Sequence, residues 1–295
     1  MKRNARSKIS PRTSPKPVSG NAEPADARGK RTSSLVLIKG AGEMASATAW
    51  RLYMANIRRI CMAELDAPLC VRRTVAFSTA LETGAHTVEG VTACVVQDRS
   101  GIERAWLDGK IAVVAQSYWS ALRDLSPIVI IDAILAKRNI GTSLSDAPLV
   151  IALGPGFVAG HDCHIVIETN RGHDLGRIIT RGSTQPNTGV PGDIAGHTAA
   201  RVLRSTGDGK FLSKHSIGDR VEVDEVVGTV NGAPVKAAVS GILRGLIRSG
   251  MKVGHGLKLG DIDPRARAEY CYTISDKARA IAGSVLESIM RYNQV

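Results

Sequence analysis

A continuous apolar run, SLVLIKG, passes without a break into Gly40-Ala41-Gly42-Glu43-Met44-Ala45 and then into the alanine-rich stretch MASATAWRLYMAN. A strand with no polar alternation is buried on both faces, and the alanine-rich stretch predicts a helix leaving its carboxyl end. The junction reads G-x-G-x-x-A, the layout of a dinucleotide-binding turn. In such a turn Gly40 permits the sharp change of direction, Gly42 lets the backbone approach a pyrophosphate, and the small Ala45 allows the helix to pack tightly. The helix N-terminus adds backbone N–H groups and a partial positive charge. Glu64, at the end of the second apolar run ICMAEL, stands where the fingerprint places an acid. Glu43 works against a phosphate at the turn, and Arg72 and Arg73 favour a phosphate near the second strand. Two alternatives stay open on these residues: a dinucleotide site, or a tight strand–helix turn that binds none.

The runs KIAVVAQ, SPIVIIDAIL and APLVIALGPGF continue the apolar series, with LCVRRTVAFSTAL expected as a helix. Alternation of this kind predicts an α/β fold, a Rossmann-like, mostly parallel sheet covered on both faces, over residues 34–153. Asp132 and Lys137 follow the strand PIVIID at the carboxyl edge of the sheet, where open α/β sheets hold ligands. Residues 154–209 are glycine-rich, with long loops around the strand CHIVIET and the helix-like DIAGHTAARVLRS. The loops NRGHDLGR and GVPGDIAGHT read as anion-handling, because glycine backbone and arginine forks suit phosphates and carboxylates. Arg171, His173, Asp174 and Arg177 are expected to complete the site from this second half, with Asp193 capping a helix. Residues 210–263 turn all-β, with Asn231-Gly232 as a hairpin signal. Residues 264–295 end in a helix opening at Ser275 or Asp276, with Ala278, Ile281, Val285 and Ile289 as its buried stripe.

The formal charge of +12 invites a nucleic-acid role, yet nine of the 39 Lys and Arg lie in residues 1–31 against Glu23 and Asp26. Residues 1–33 read as a disordered basic tail. No aromatic side chains are interleaved with these charges for base stacking, so no nucleic-acid partner is expected. No run of about 18 apolar residues is present, so no membrane span is expected either. Cys61, Cys70, Cys94, Cys163 and Cys271 are scattered and odd in number, the usage of a reducing, cytoplasmic compartment. P-loop, G-x-S-x-G and H-E-x-x-H signatures are all missing from the sequence. His161, Asp162, Cys163 and His164 are the densest group of ligand-type residues. In an extended chain Cys163 shares a face with Ile165, as a buried thiol does, and no metal site is assigned.

The blocks KGAGEMASATAWRL, AELDAPLCVRRTVAFSTA, TVEGVTA, IDAILAKRN, ALGPGFVAGHDCHIVIETNRGHDLGR, GVPGDIAGHT and AVSGILRGLIRSGMKVGHGLKLGDIDPR occur in this order. Together they resemble the YqeB-type family of selenium-dependent molybdenum hydroxylase systems, over about residues 34–290. The resemblance implies a cytoplasmic accessory or maturation protein whose partners are a molybdenum hydroxylase and its maturation factors. It implies a small phosphate-bearing ligand, with a dinucleotide or a molybdopterin-type molecule as the cofactor. Residues 211–262 resemble a biotinyl/lipoyl-type barrel-sandwich module. Its hairpin tip reads Asn231-Gly232-Ala233 and Lys236 lies beyond it, so the module is expected to be structural or docking rather than a carrier. Two other functions stay open: an NAD(P)-dependent oxidoreductase, for which no Tyr-x-x-x-Lys donor follows the turn, and a non-catalytic scaffold that docks on the hydroxylase. No catalytic residue is assigned.

Overall fold

Short apolar strands dominate the chain, and their order in space differs from their order in sequence. The structure, a computed structural model, describes residues 35–292. The basic tail expected over 1–33 lies outside the described residues. The first eleven strands are β1 (Val36–Lys39), β2 (Ile60–Glu64), β3 (Ala85–Val88), β4 (Val91–Val96), β5 (Ile111–Ala115), β6 (Val129–Asp132), β7 (Leu149–Leu153), β8 (Val158–Ala159), β9 (Ile165–Ile167), β10 (Ile178–Ile179) and β11 (Gly182–Ser183). Nine of them form one sheet in the order β10-β9-β7-β6-β1-β2-β5-β4-β3, while β8 and β11 pair separately. Among the described residues the α-helices are α1 (Glu43–Met54), α2 (Ala80–Thr83), α3 (Arg99–Leu107) and α4 (Asp276–Tyr292).

The expected Rossmann-like α/β fold is corrected here. The sheet is mixed: β3 closes one edge antiparallel to β4, and β10 closes the other antiparallel to β9. The chain is mostly β, and the links from β5 to β6 and from β6 to β7 carry 3-10 turns instead of helices. LCVRRTVAFSTAL forms 3-10 turns and the single turn α2, and DIAGHTAARVLRS forms a short turn and a strand. The physical reason is that apolar strands report burial on both faces without saying what buries them. One face is covered by α1 and by α4, which returns from the far end of the sequence to set Ala278, Ile281, Val285 and Ile289 against it. The other face is covered by α3, by Phe157 and by Ala159 of β8. Each fully buried Val or Ile of the α4 stripe contributes about 1.5–3 kcal/mol.

The remaining strands are β12 (Val202–Arg204), β13 (Gly209–Leu212), β14 (Arg220–Val221), β15 (Val226–Val230), β16 (Ala233–Lys236), β17 (Gly241–Leu246), β18 (Lys252–Val253) and β19 (Lys258–Asp263). They make two four-stranded antiparallel sheets, β12-β19-β17-β14 and β16-β15-β13-β18. This corrects the barrel-sandwich expectation, because β12 comes from the stretch read as glycine-rich loops and pairs directly with β19. β15 and β16 meet at Asn231 and Gly232, with φ of 47° and 84°, a turn only such residues adopt readily. Phe211, Leu243, Leu246, Leu259 and Ile262 form a second core under these sheets.

Residues 71–73 tie the two cores together. The Leu246 N–H donates to the Val71 carbonyl at 2.8 Å, and Arg73 Nε donates to the Leu246 carbonyl at 2.9 Å. Gly245 is obligatory here, since a Cβ at that position would lie 2.7 Å from Val71 Cγ1.

Candidate functional site

The N-termini of α1 and α4 open onto one cavity of about 590 Å³, within the range that holds small-molecule ligands. Gly42 caps α1 without any side-chain hydrogen bond, which leaves first-turn N–H groups uncapped by a side chain. Ser275 caps α4, accepting from the Ala278 N–H at 3.3 Å, and its own hydroxyl donates to Glu43 Oε1 at 2.9 Å. The helix starts are thereby fastened to each other. Arg72, Lys137, Arg171, Arg201, Arg204, Arg244, Lys258 and Lys277 line the cavity, against Glu43, Glu168 and Asp261. Eight cations facing three carboxylates make an electropositive cleft in which anions are concentrated.

Much of that charge is held in place by buried acids. Asp261, 1% exposed on β19, pairs with Arg201 and with Arg244 at 2.6 Å, and Lys258 lies 3.7 Å away. Burial works against the Asp261 carboxylate, but Lys258, Arg244 and Arg201 outweigh it and hold its pKa below the usual range. Arg171 makes a two-pronged contact with Asp276, at 2.7 and 3.1 Å, which holds the Asp276 carboxyl down at about 2. Arg72, 5% exposed, donates to the carbonyls of Tyr270 and Thr273 at 2.9 and 3.2 Å and faces Glu43 at 3.6 Å. Lys137 stands at the mouth on a loop with left-handed backbone at Leu135 and Lys137, φ 60° and 64°. Desolvation lowers its pKa. The strap Gln185–Gly192 forms the outer wall. It is anchored where the Gln185 N–H donates to buried Glu168 at 2.7 Å and where the Gly192 carbonyl accepts from Arg201 Nη2 at 2.8 Å.

The structure divides the residues predicted from sequence. Lys137 and Arg171 line the cleft. Gly40, with φ 98° and a Cβ position 3.2 Å from the Ala133 carbonyl oxygen, shapes the turn, and Ala45 is fully buried in α1. Glu64 Oε2 accepts from the Ala41 N–H at 2.7 Å, taking a donor that a phosphate at this turn would compete for. Asp132, 1% exposed, accepts from the Thr142 hydroxyl at 2.6 Å, and Thr142 in turn accepts from Lys39. It is part of an internal network. Asp174 and Arg177 pair at 3.1 Å beside a separate, shallower cleft, and His173 is exposed and lines neither. Asp193 accepts from the Gly196 N–H at 3.1 Å in a turn, since no helix follows it.

Arg201, Arg204, Arg244, Lys258 and Lys277 are missed by sequence reasoning. Two signals were available. Asp261 and Asp263 stand two apart in an otherwise apolar strand, which puts both on one face and demands cationic partners. Lys277 is a cation in the first turn of a helix, against the helix dipole. The group around Cys163 takes other roles. His164 Nδ1 accepts from the Val150 N–H at 3.0 Å, and burial, with Asp162 nearby, pushes the Cys163 thiol up to about 12. That thiol stays protonated at neutral pH.

The structure thus sets a mixed nine-stranded sheet beside a cationic cleft at two helix starts. No family model matches the chain. Over 256 residues it is 47% identical to the uncharacterized protein YqeB of Escherichia coli (strain K12), a match taking in 87% of this chain and 47% of that protein. The identity supports placing the chain with the YqeB-type family, and the chain spans about half the length of this curated relative. Among solved structures, an aspartoacylase family protein from Mesorhizobium loti is 15% identical with a TM-score of 0.26, over 78% of this chain and 84% of that one. A succinylglutamate desuccinylase/aspartoacylase from Rhodobacter sphaeroides is 12% identical with a TM-score of 0.24, over the same shares. Neither fold nor chemistry transfers at such scores. Among the described residues no helix is long and apolar enough to cross a membrane, and no group of three or more His, Cys, Asp or Glu is placed to hold a metal ion.

Proposed function

We propose that this chain is an accessory protein of selenium-dependent molybdenum hydroxylases that binds a phosphate-bearing cofactor of molybdopterin type, or its precursor, in the cationic cleft. The observation that supports the reading is the convergence of eight cations and two helix N-termini on one cavity. The donor set fits such a ligand: Lys137, Lys277 and the uncapped start of α1 suit a phosphate, while Asn170, Gln185 and Asn187 offer amides to a heterocycle. When bound, the cofactor would supply the metal-binding dithiolene chemistry; this chain's residues hold and orient it and keep its phosphate neutralised. The hydroxylase and its maturation factors are the partners on this reading, and the cytoplasm is the compartment. The free cysteines fit a reducing environment.

The glycine turn serves this reading differently from a dinucleotide site. Glu64 stiffens it from within, and because Glu43, Met44, Ser275 and Lys277 border one cavity, a ligand held there would meet the start of α1 beside the start of α4. Two experiments test the proposal. Titration of the purified chain with molybdopterin released from a molybdenum enzyme should show saturable binding that a charge-reversing Lys277→Glu abolishes. Deleting the gene in a host with such a hydroxylase should leave hydroxylase protein present but inactive. Wild-type hydroxylase activity in the deletion strain would refute the accessory role, and absence of binding would refute the cofactor role.

A further inference from the structure

The cations of the cleft are not equivalent. Arg171 is matched by Asp276, Arg201 and Arg244 by Asp261, and Lys258 also lies near Asp261. Arg72 faces Glu43, and Arg204, which has no carboxylate partner among the described residues, donates to the Gly256 carbonyl at 2.9 Å. Among the described residues, Lys137 and Lys277 have no carboxylate within ion-pair distance. Both line the same cavity, and Lys277 has its pKa lowered first by burial and then by Lys137. Like charges placed together without a counterion destabilise the empty protein, and the backbone around them is specialised to keep them there. Lys137 adopts left-handed backbone with φ 64°, a conformation that L side chains rarely take. Its neighbour Arg138 is clamped by Gly156, where a Cβ would fall 2.5 Å from Arg138 Cα. Lys277 sits in the first turn of α4, where the dipole disfavours a cation. Neither lysine is placed for the stability of its own element.

We infer that Lys137 and Lys277 form a two-ammonium subsite that takes the terminal phosphate monoester of the cleft's ligand. Two ammonium groups complement the two charges that a monoester gathers on one phosphorus, whereas an internal phosphodiester carries one charge and the diphosphate link of a dinucleotide spreads its two over neighbouring groups. The inference rests on the phosphate reading of the cleft and narrows it to monoester-ended molecules.

The test uses phenyl phosphate, a dianion above its second pKa of about 6, and its methyl ester, a monoanion. Binding of each to the full chain is followed by ligand-observed NMR, for the wild type, Lys137→Met, Lys277→Met and both Lys→Arg variants. The expected result is tighter binding of the monoester to the wild type by about tenfold or more, a preference lost in either Met variant and kept in the Arg variants. Thermal melts of each variant establish that the fold is intact. Equal binding of the two probes by the wild type, or a preference that survives both Met substitutions, overturns the subsite and leaves the phosphate reading standing. Binding of neither probe by the wild type overturns both.

Discussion

Glu64, at the end of β2, accepts a hydrogen bond from the backbone N–H of Ala41 at 2.7 Å, between residues that flank the glycine turn. Its other oxygen accepts from its neighbour Leu65 at 2.8 Å. The carboxylate therefore braces the turn that presents the start of α1. A charge-assisted bond of this kind contributes about 1.5–3 kcal/mol. Glu64→Ala should lower stability by roughly that amount in urea denaturation, with Glu64→Gln recovering part. An unchanged denaturation midpoint for Glu64→Ala would show that the bond stabilises nothing.

Gly156 sets the position of Lys137. With φ 107° and its Cβ position 2.5 Å from Arg138 Cα, alanine fits neither the backbone nor the space. Gly156→Ala should destabilise the protein by more than about 1 kcal/mol and weaken pyrophosphate binding in the molecules that still fold. Gly84 has a comparable φ of 80° and open space around it, so Gly84→Ala is the control for backbone strain without displacement. Equal effects of the two on pyrophosphate binding would contradict the clamp.

The Arg171–Asp276 pair makes one acid limb of stability predictable. Hydrogen bonding from Arg171 depresses the Asp276 pKa from 3.8 to about 2 in the folded state. The stability contributed by this carboxylate is full above the unfolded value of 3.8 and is lost as pH falls through about 2. Asp276→Asn should therefore flatten the fall of melting temperature across that interval, and leave the curve above it parallel to wild type. A variant curve that still falls as steeply over that interval would place the titration elsewhere.

Asp261 gives a coupled prediction. It is buried between Arg201 and Arg244, so removing Arg201 leaves the carboxylate poorly compensated. Arg201→Met should cost about 3–5 kcal/mol, and adding Asp261→Asn should restore a measurable part of it. Additive losses in the double variant would mean that the two side chains act independently.

The sequence is explicit where local chemistry decides the structure. β1 running into the Gly40–Gly42 turn and α1, the Asn231-Gly232 hairpin and the buried stripe of α4 all follow from spacing and turn residues. It is silent where distant segments meet. β3 and β10 are short edge strands whose antiparallel pairing no run of residues specifies, and α4 reaches α1 only in the folded chain. The same holds for the cleft. Lys137 and Arg171 were legible as charges on loops at a sheet edge. Arg244 and Lys258 belong to strands of the second core, which residues 71–73 help to hold against the first. Glu64 and Asp132 do not line the cleft, and no run of residues says so: at a strand's carboxyl end an acid serves a ligand or the backbone equally well, and spacing does not separate the two.

The most direct measurement is calorimetric titration of the purified chain with inorganic pyrophosphate at two salt concentrations, beside Lys277→Glu. A saturable isotherm for the wild type is expected, weakened by salt and abolished by the charge reversal. No binding by the wild type, or the same affinity in Lys277→Glu, would contradict the assignment of this cleft to a phosphate-bearing cofactor.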